Sequence, residues 1–317
     1  MADAVLKPPA VAPGARLAVI APASSADPQR IARGIEALRA LGYDAVAAEH
    51  LYGKQPPYFS GTPEQRLADL HRAFADPSVA AIICARGGYG SNYLLPRLDL
   101  DLIRAHPKPF FAYSDMTVLQ TWLLDQTGLV AFHGPMAAAD FSLENGVHLQ
   151  SFQAALSGGL VQAGAGQGIR VLRPGHARGV MYGGCLSLLT SALGTPYAPK
   201  TEGRLLFLED QGEKPYRIDR MLRQMILAGK FEGVRGFIFG EMLGCNSPNE
   251  DPRLLDRVIL DVLRDFDVPI AIGLRSGHVS GGNVTLPLGI EAELSLNDAE
   301  PLLRYLEPAV SVSRHAG

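Results

Sequence analysis

Net charge of either sign is scarce in this 317-residue chain: 29 Lys and Arg against 32 Asp and Glu leave −3. No basic field exists to hold a nucleic acid or an anionic membrane surface. Cysteine is also scarce. Cys84, Cys185 and Cys245 are odd in number and far apart, which excludes a disulfide framework and points to a reducing, cytoplasmic compartment. No run of about 18 apolar residues is present to span a bilayer. The opening MADAVLKPPA has no apolar stretch behind a positive charge, so no secretory signal is expected. Several chemical signatures are missing too. The P-loop pattern is absent, and Gly88-Tyr89-Gly90 begins like a dinucleotide loop but has Tyr93 where the third glycine belongs. None of the eight histidines sits in a metal-binding spacing, and the cysteines form no CxxC. Metal and cofactor chemistry therefore have no support, and GxSxG, the usual hydrolase elbow, is not written here.

What is present is a folded composition, 47% hydrophobic and 19% charged, over a length that favours two domains. In the first half, short apolar runs at 16–22 (RLAVIAP), 45–47, 80–85 (AAIICA) and 109–113 (PFFAY) alternate with helix-period segments. One helix opens at Asp27-Pro28, another at Thr62-Pro63-Glu64, and a third runs through Val118, Leu119, Trp122 and Leu123. This alternation predicts an α/β fold with a doubly wound parallel sheet over residues 1–156. The glycine-rich stretch 157–179 reads as an interdomain linker. Residues 180–317 read as a smaller, mixed α/β C-terminal domain. Its strands are expected at 180–182, 204–208, 237–239 and 269–273, its helices at 216–229 and 253–266, and antiparallel edge strands over 284–296.

Three segments have complementary chemistry. In FFAYSDMT an apolar strand runs into Ser114 and a helix follows at once, placing a hydroxyl at a strand end beside outward-pointing N–H groups. Taken alone, a serine in this position is more often a helix cap. LLFLED ends a strand on Glu209, a carboxylate that needs a partner or a cap to satisfy. SGHVSGGN puts His278 in a glycine-flanked loop, near neutral pKa and accessible, as a general base must be, although a lone loop histidine usually has no such role. Serine, acid and histidine in that chain order, each just past a strand, are what a serine hydrolase requires.

The same segments resemble the LD-carboxypeptidase family of serine peptidases, which includes murein tetrapeptide carboxypeptidases and the microcin C self-immunity peptidases. RLAVIAPAS, FSGTPEQRLADLHRAF, AIICARGGYGS, AYSDMT, FHGP, GG-x-LS…GTPY, LFLED…PYRIDRML and GHVSGGN…LPLG follow the family's order over nearly the whole chain. The resemblance implies that Ser114 is the nucleophile, Glu209 the triad acid and His278 the base, the first from the N-terminal domain and the other two from the C-terminal one. It implies a serine carboxypeptidase that hydrolyses the amide between an L-centre and a terminal D-amino acid, releasing D-alanine from murein tetrapeptide during peptidoglycan recycling. A cytoplasmic homodimer acting on a small peptide without any cofactor is the corresponding expectation. Two departures stand out: Ala112 replaces a glycine before the serine turn, and Cys185 replaces an asparagine after the Gly-Gly pair. Ala112 requires a negative φ at that residue, and Cys185 removes an amide wherever that asparagine meets substrate.

The glycine loop ARGGYGS supplies backbone N–H groups that can approach a ligand closely. The Gly87/Gly88 peptide and the Asp115 N–H are expected to hold the oxyanion, with Arg86 beside them in the substrate site. Arg217 and Arg220, shortly after Glu209, are further candidates for a substrate carboxylate. His133 in FHGP is expected to be a packed, hydrogen-bonded support. The alternative enzyme is a microcin C-type hydrolase of peptidyl nucleotides, disfavoured by the single tryptophan, Trp122, in a core helix. Different classes are a cysteine amidotransferase-like enzyme using Cys84, which sits within a strand, and a non-catalytic ligand-binding domain whose GGYGS loop cradles an anion. A serine-directed phosphonate separates them by modifying Ser114, Cys84 or neither.

Overall fold

The computed structural model describes residues 5–246, 251–297 and 300–312. Its first half alternates β1 (Arg16–Ile20), α1 (Pro28–Ala40), β2 (Asp44–Ala47), α2 (Pro63–Ala75), β3 (Val79–Cys84) and α3 (Leu100–Ala105). It continues with β4 (Phe110–Ala112), α4 (Thr117–Thr127), β5 (Ala131–His133) and α5 (Leu149–Ser157). Helix starts are fixed by short polar side chains. The Asp27 carboxylate accepts from the N–H groups of Gln29 and Arg30, and Thr62 with Gln65 forms a reciprocal cap, each just before a proline. The five strands are parallel in the order β5-β4-β3-β1-β2. Leu17 and Val19 face one apolar cluster while Ala18 and Ile20 face another. Both faces are covered, which is why these strands read as continuous apolar runs.

The second half contains β6 (Gln162–Gly164), β7 (Arg170–Arg173), β8 (Gly175–Cys185), α6 (Leu186–Ser191), β9 (Arg204–Glu209) and α7 (Pro215–Leu227). After these come β10 (Gly236–Gly240), α8 (Leu254–Val262), β11 (Ile270–Leu274), β12 (Leu286–Leu288), β13 (Glu291–Leu296) and β14 (Leu302–Tyr305). Among the described residues eight of these strands form a mixed sheet, ordered β6-β14-β13-β8-β9-β10-β11-β7 and parallel from β8 through β11. Two expectations need correction here. The stretch 157–179 is not a linker, because it holds β6, β7 and the start of β8, all hydrogen-bonded within this sheet. β6 and β7 are short sheet-edge strands, too brief and too polar to show a period. The stretch 284–296 is not a pair of edge strands in one sheet. β12 pairs antiparallel with β5 on the edge of the first sheet, where Pro287 is tolerated, and β13 lies inside the second sheet between β14 and β8.

The chain therefore passes from the first sheet to the second after α5, returns for β12, and crosses again to β13. A single apolar cluster joins the two sheets, running from Leu17, Val19, Phe111 and Phe132 to Leu205, Phe207, Phe239 and Ile272. Close packing of this kind gives the strand ends of both sheets a fixed mutual position.

Candidate active site

β4 is apolar and buried throughout, and the chain leaves it through Tyr113 into a one-turn 3-10 segment, Ser114–Met116, that leads straight into α4. Ser114 takes φ +65°, one of two non-glycine residues with positive φ among the described residues. A side chain in this region is strained, and such strain collects at functional sites. Ala112 remains in the strand, so the positive φ falls on the serine itself. Nothing in the sequence signals this directly. Gly87, in the loop after β3, faces Ser114, and a Cβ there would lie 2.6 Å from the serine Cβ and 2.8 Å from Oγ. The Asp115 backbone nitrogen lies 3.2 Å from the same point. The Asp115 side chain turns away and accepts the Ser91 N–H at 2.8 Å, while the Ser91 hydroxyl donates to the Asp115 carbonyl at 2.6 Å. Asp115 thus pins the glycine loop to the serine turn. Buried Arg66 braces the same loop from below through the carbonyls of Pro22 and Gly90.

Glu209 ends β9, fully buried, and His278 follows β11 in the loop that leads to β12. Their side chains meet: His278 Nδ1 lies 2.8 Å from Glu209 Oε2, and the His278 backbone N–H donates to the same oxygen at 3.0 Å. On the other side of the ring, His278 Nε2 lies 3.0 Å from Ser114 Oγ. Burial alone would lower the His278 pKa, but the charge and hydrogen bond of Glu209, with Asp210 and Asp140 beyond, raise it above the ordinary imidazole value. Burial alone would raise the Glu209 pKa, and the His278 charge and hydrogen bonds hold it below the ordinary carboxylate range. The pair is built so that Glu209 is charged and the imidazole keeps a proton on Nδ1, leaving Nε2 to accept one from Ser114.

Ser114 and His278 line a cavity of about 520 Å³ together with Arg30, Arg86, Gly87, Gly88, Tyr113 and Asp140. Arg86, Gly87 and Gly88 thus line the same cavity as Ser114 and His278. Arg217 and Arg220 are not. Arg217 is exposed and bound to Glu213 and Tyr216, and Arg220 lies over the Tyr216 ring. Arg30 is the cation that sequence reasoning missed. Its Nε reaches Ser142 Oγ at 3.3 Å and its Nη2 the Ala139 carbonyl at 3.1 Å, both neutral acceptors. Among the described residues neither Arg30 nor Arg86 forms an ion pair. Only the helical spacing placed Arg30 one turn from the Asp27 cap, and nothing in it pointed to the cavity. Asp140, also missed, is buried in a π-helical turn, Ala137–Phe141, where it accepts from the Met136 N–H, the Asn283 amide and the Tyr113 hydroxyl. Burial raises its pKa to about 6 against those donors.

Two of the three cysteines stand out in the sequence, and neither lies at the cavity. Cys84 is fully buried within β3 with its thiol pKa pushed up by burial, so it is no nucleophile. Cys185 is buried at the start of α6, its N–H donating to Thr117 Oγ1, and it is not among the cavity-lining residues.

The chain is similar in sequence and fold to known proteins. The family described as the LD-carboxypeptidase N-terminal domain matches residues 17–134, and the LD-carboxypeptidase C-terminal domain matches 178–294. A carboxypeptidase-named protein of Streptomyces coelicolor is 40% identical over 92% of this chain and 93% of its own. The murein tetrapeptide carboxypeptidase of Pseudomonas aeruginosa is 32% identical over 89% of this chain and 94% of its own. The crystal structure of an MccF-like protein from Bacillus anthracis superimposes with a TM-score of 0.88 at 26% identity, covering 96% of this chain and 100% of that one.

Proposed function

From the premise that the chain belongs to the LD-carboxypeptidase family, we propose that it is a serine peptidase that removes a terminal D-amino acid from an L-centre. Murein tetrapeptide is the substrate that this reading favours, with D-alanine released. The observation that carries it is the unbroken line from Ser114 Oγ through His278 to Glu209. In this reading Ser114 attacks the scissile carbonyl while its proton passes to His278 Nε2. The N–H groups of Gly88 and Asp115, flanking Ser114 across Gly87, receive the developing oxyanion. The imidazolium then gives its proton to the leaving amine, the C–N bond breaks, and D-alanine departs from an acyl-serine. Water, deprotonated by the same histidine, cleaves the ester and restores the serine.

An exopeptidase must also bind the chain end. Arg30 and Arg86, which line the cavity that holds Ser114 and form no ion pair among the described residues, support recognition of a terminal carboxylate. The buried free thiols of Cys84, Cys185 and Cys245 support a reducing, cytoplasmic setting. A peptidyl-nucleotide substrate is the second reading, drawn from the MccF-like likeness. It is less well supported by the cavity, where among the described residues the one Phe, Tyr or Trp side chain in the lining is Tyr113, which is buried and in T-shaped contact with His278. The test is mass spectrometry of murein tetrapeptide and of a peptidyl nucleotide after incubation with the protein. Loss of D-alanine from the tetrapeptide alone is expected. An intact tetrapeptide, with Ser114 unmodified by a serine-directed phosphonate, would overturn the reading.

A further inference from the structure

Behind the triad the protein is filled: His133 packs edge-on to Phe207 as expected, although its ring nitrogens make none of the hydrogen bonds expected with it. Beside the triad it is open. A second cavity, of about 740 Å³, adjoins the one that holds Ser114. Leu143, Asn145, Ser280 and Gly281 line both, so the two share a wall. That wall is made of two loops bound together: the Gly282 N–H donates to the Asn145 carbonyl at 2.7 Å and the Asn283 N–H to the Gly146 carbonyl at 2.9 Å. One strand end serves both cavities. β11 stops at Leu274, Arg275 lines the second cavity, and His278 lines the first. α1 also runs past both, with Arg30 of its first turn lining the first cavity and Ala37 and Ala40 of its last turn lining the second.

The permanent cation of the second cavity is Arg275, which is half-buried and forms no ion pair among the described residues. Its Nη2 donates to the Gly166 carbonyl, and its Nε is buried without an acceptor. A guanidinium has five N–H groups, so donors remain to be met. As a strap for the Gly166 loop the side chain would be redundant, since the Arg275 backbone N–H already donates to the Gln167 carbonyl at 2.9 Å. Glu144, also in the lining, is exposed and does not pair with it, and burial together with the Arg275 charge keeps His148 neutral. Such a cation draws an anion, and a carboxylate matches its planar fork. The spacing suits a peptide. From Arg30 to Ala37, α1 advances about 10 Å, and three extended residues also span about 10 Å. A peptide whose terminal carboxylate sits at Arg30 therefore brings the residue before its L-centre up to the second cavity. We propose that this cavity receives the amino-terminal part of the same peptide, and that Arg275 is a specificity-determining residue that binds a carboxylate on the residue before the L-centre. The inference rests on the carboxypeptidase reading for the direction in which the peptide lies.

The test is equilibrium binding to the S114A protein, so that turnover does not enter the measurement. Two peptides ending in D-alanine are compared, identical except for glutamate or glutamine before the L-centre. The acid should bind about 10- to 100-fold more tightly than the amide, the scale of a hydrogen bond between charged groups. Adding R275Q should abolish that preference by weakening the acid alone. Adding A40E instead, on the exposed helix face that lines the same cavity, leaves the Arg275 loop untouched and should reduce the preference by repelling the acid. Equal affinity of the two peptides for S114A would overturn the proposal, whether or not R275Q folds. A preference that persists in R275Q, or in A40E should R275Q not fold, would overturn it too, as would a loss of affinity in R275Q that is equal for both peptides. Cleavage by the unsubstituted protein tests the carboxypeptidase reading separately. A protein that cleaves neither peptide yet keeps the Arg275-dependent preference would remove that reading and leave the acid-binding cavity standing.

Discussion

Gly87 and Ser114 are in contact at a distance no other residue type allows: a Cβ on Gly87 would sit 2.8 Å from the serine oxygen. The substitution Gly87→Ala should therefore displace Ser114 or the peptide that follows Gly87, at the two points where attack and oxyanion binding occur. We expect kcat/KM to fall about 100-fold or more, the scale of a misplacement of about 1 Å at a reacting group, with the far-ultraviolet circular dichroism unchanged. An alanine variant with wild-type kcat/KM would remove the glycine loop from the mechanism.

Ser114→Ala should lower kcat by a factor on the order of 10⁴–10⁶, as triad removal does in serine hydrolases. The Glu209→Gln change should cost less, since the acid orients the imidazole and does not itself react. Measured turnover of purified Ser114→Ala near the wild-type value would end the serine mechanism.

The pH profile should have a defined sign. Protonated His278 cannot accept the serine proton, and although burial favours its neutral form, Glu209, Asp210 and Asp140 together hold its pKa above the ordinary imidazole value of about 6.5. Thus kcat/KM should rise with pH through an ionisation above that value. Stability runs the opposite way. The raised histidine pKa contributes stabilisation that is complete below the unfolded value and is lost as pH climbs through the folded one. The depressed Glu209 pKa contributes stabilisation present above the unfolded carboxylate value and lost as pH falls through the folded one. The Tm difference between wild type and His278→Ala should accordingly be largest between about pH 4.3 and 6.5, the unfolded values of the two groups. A difference that grows steadily toward pH 9 would contradict this pairing.

Arg30→Leu and Arg86→Leu should raise KM for a D-alanine-terminated peptide by about 10- to 100-fold, the loss of a charge-assisted bond to a carboxylate. Neither should alter cleavage of the D-alanine amide, which lacks the charge and should be poor with every variant. Comparing D-alanine, L-alanine and D-alanine amide peptides decides the point. Equal cleavage of the D- and L-terminated peptides would remove the LD specificity and leave a serine hydrolase.

Much of this was legible because it is local. A short apolar run that ends on Ser114 or Glu209 is a strand whose last side chain reaches a rim, and Asp27-Pro28 writes its helix start in two residues. What could not be read depends on pairing between distant segments. β6 and β7 belong to the second sheet only through hydrogen bonds to β14 and β11, which their own composition does not record. Pro287 sits in a strand because β12 is at an edge, a fact of the fold and not of the tripeptide. Arg30 lines the cavity with its guanidinium bound to Ala139 and Ser142, in and just after the turn at Ala137–Phe141, more than a hundred residues away in sequence. The positive φ of Ser114 likewise leaves no mark in the residue type.

The chain crosses between its sheets on both sides of β12, and His278 rides on the first of those crossings. Its loop is tethered to β11 at one end and to β12, in the opposite sheet, at the other, like a stitch drawn through two pieces of cloth. Swinging one sheet away from the other would pull this stitch and part the imidazole from either the hydroxyl or the carboxylate. Sewn in this way, the two sheets hold Ser114, His278 and Glu209 in hydrogen-bonding distance of one another. Loosening of the seam, by heat or denaturant, should silence the enzyme while most of its secondary structure survives.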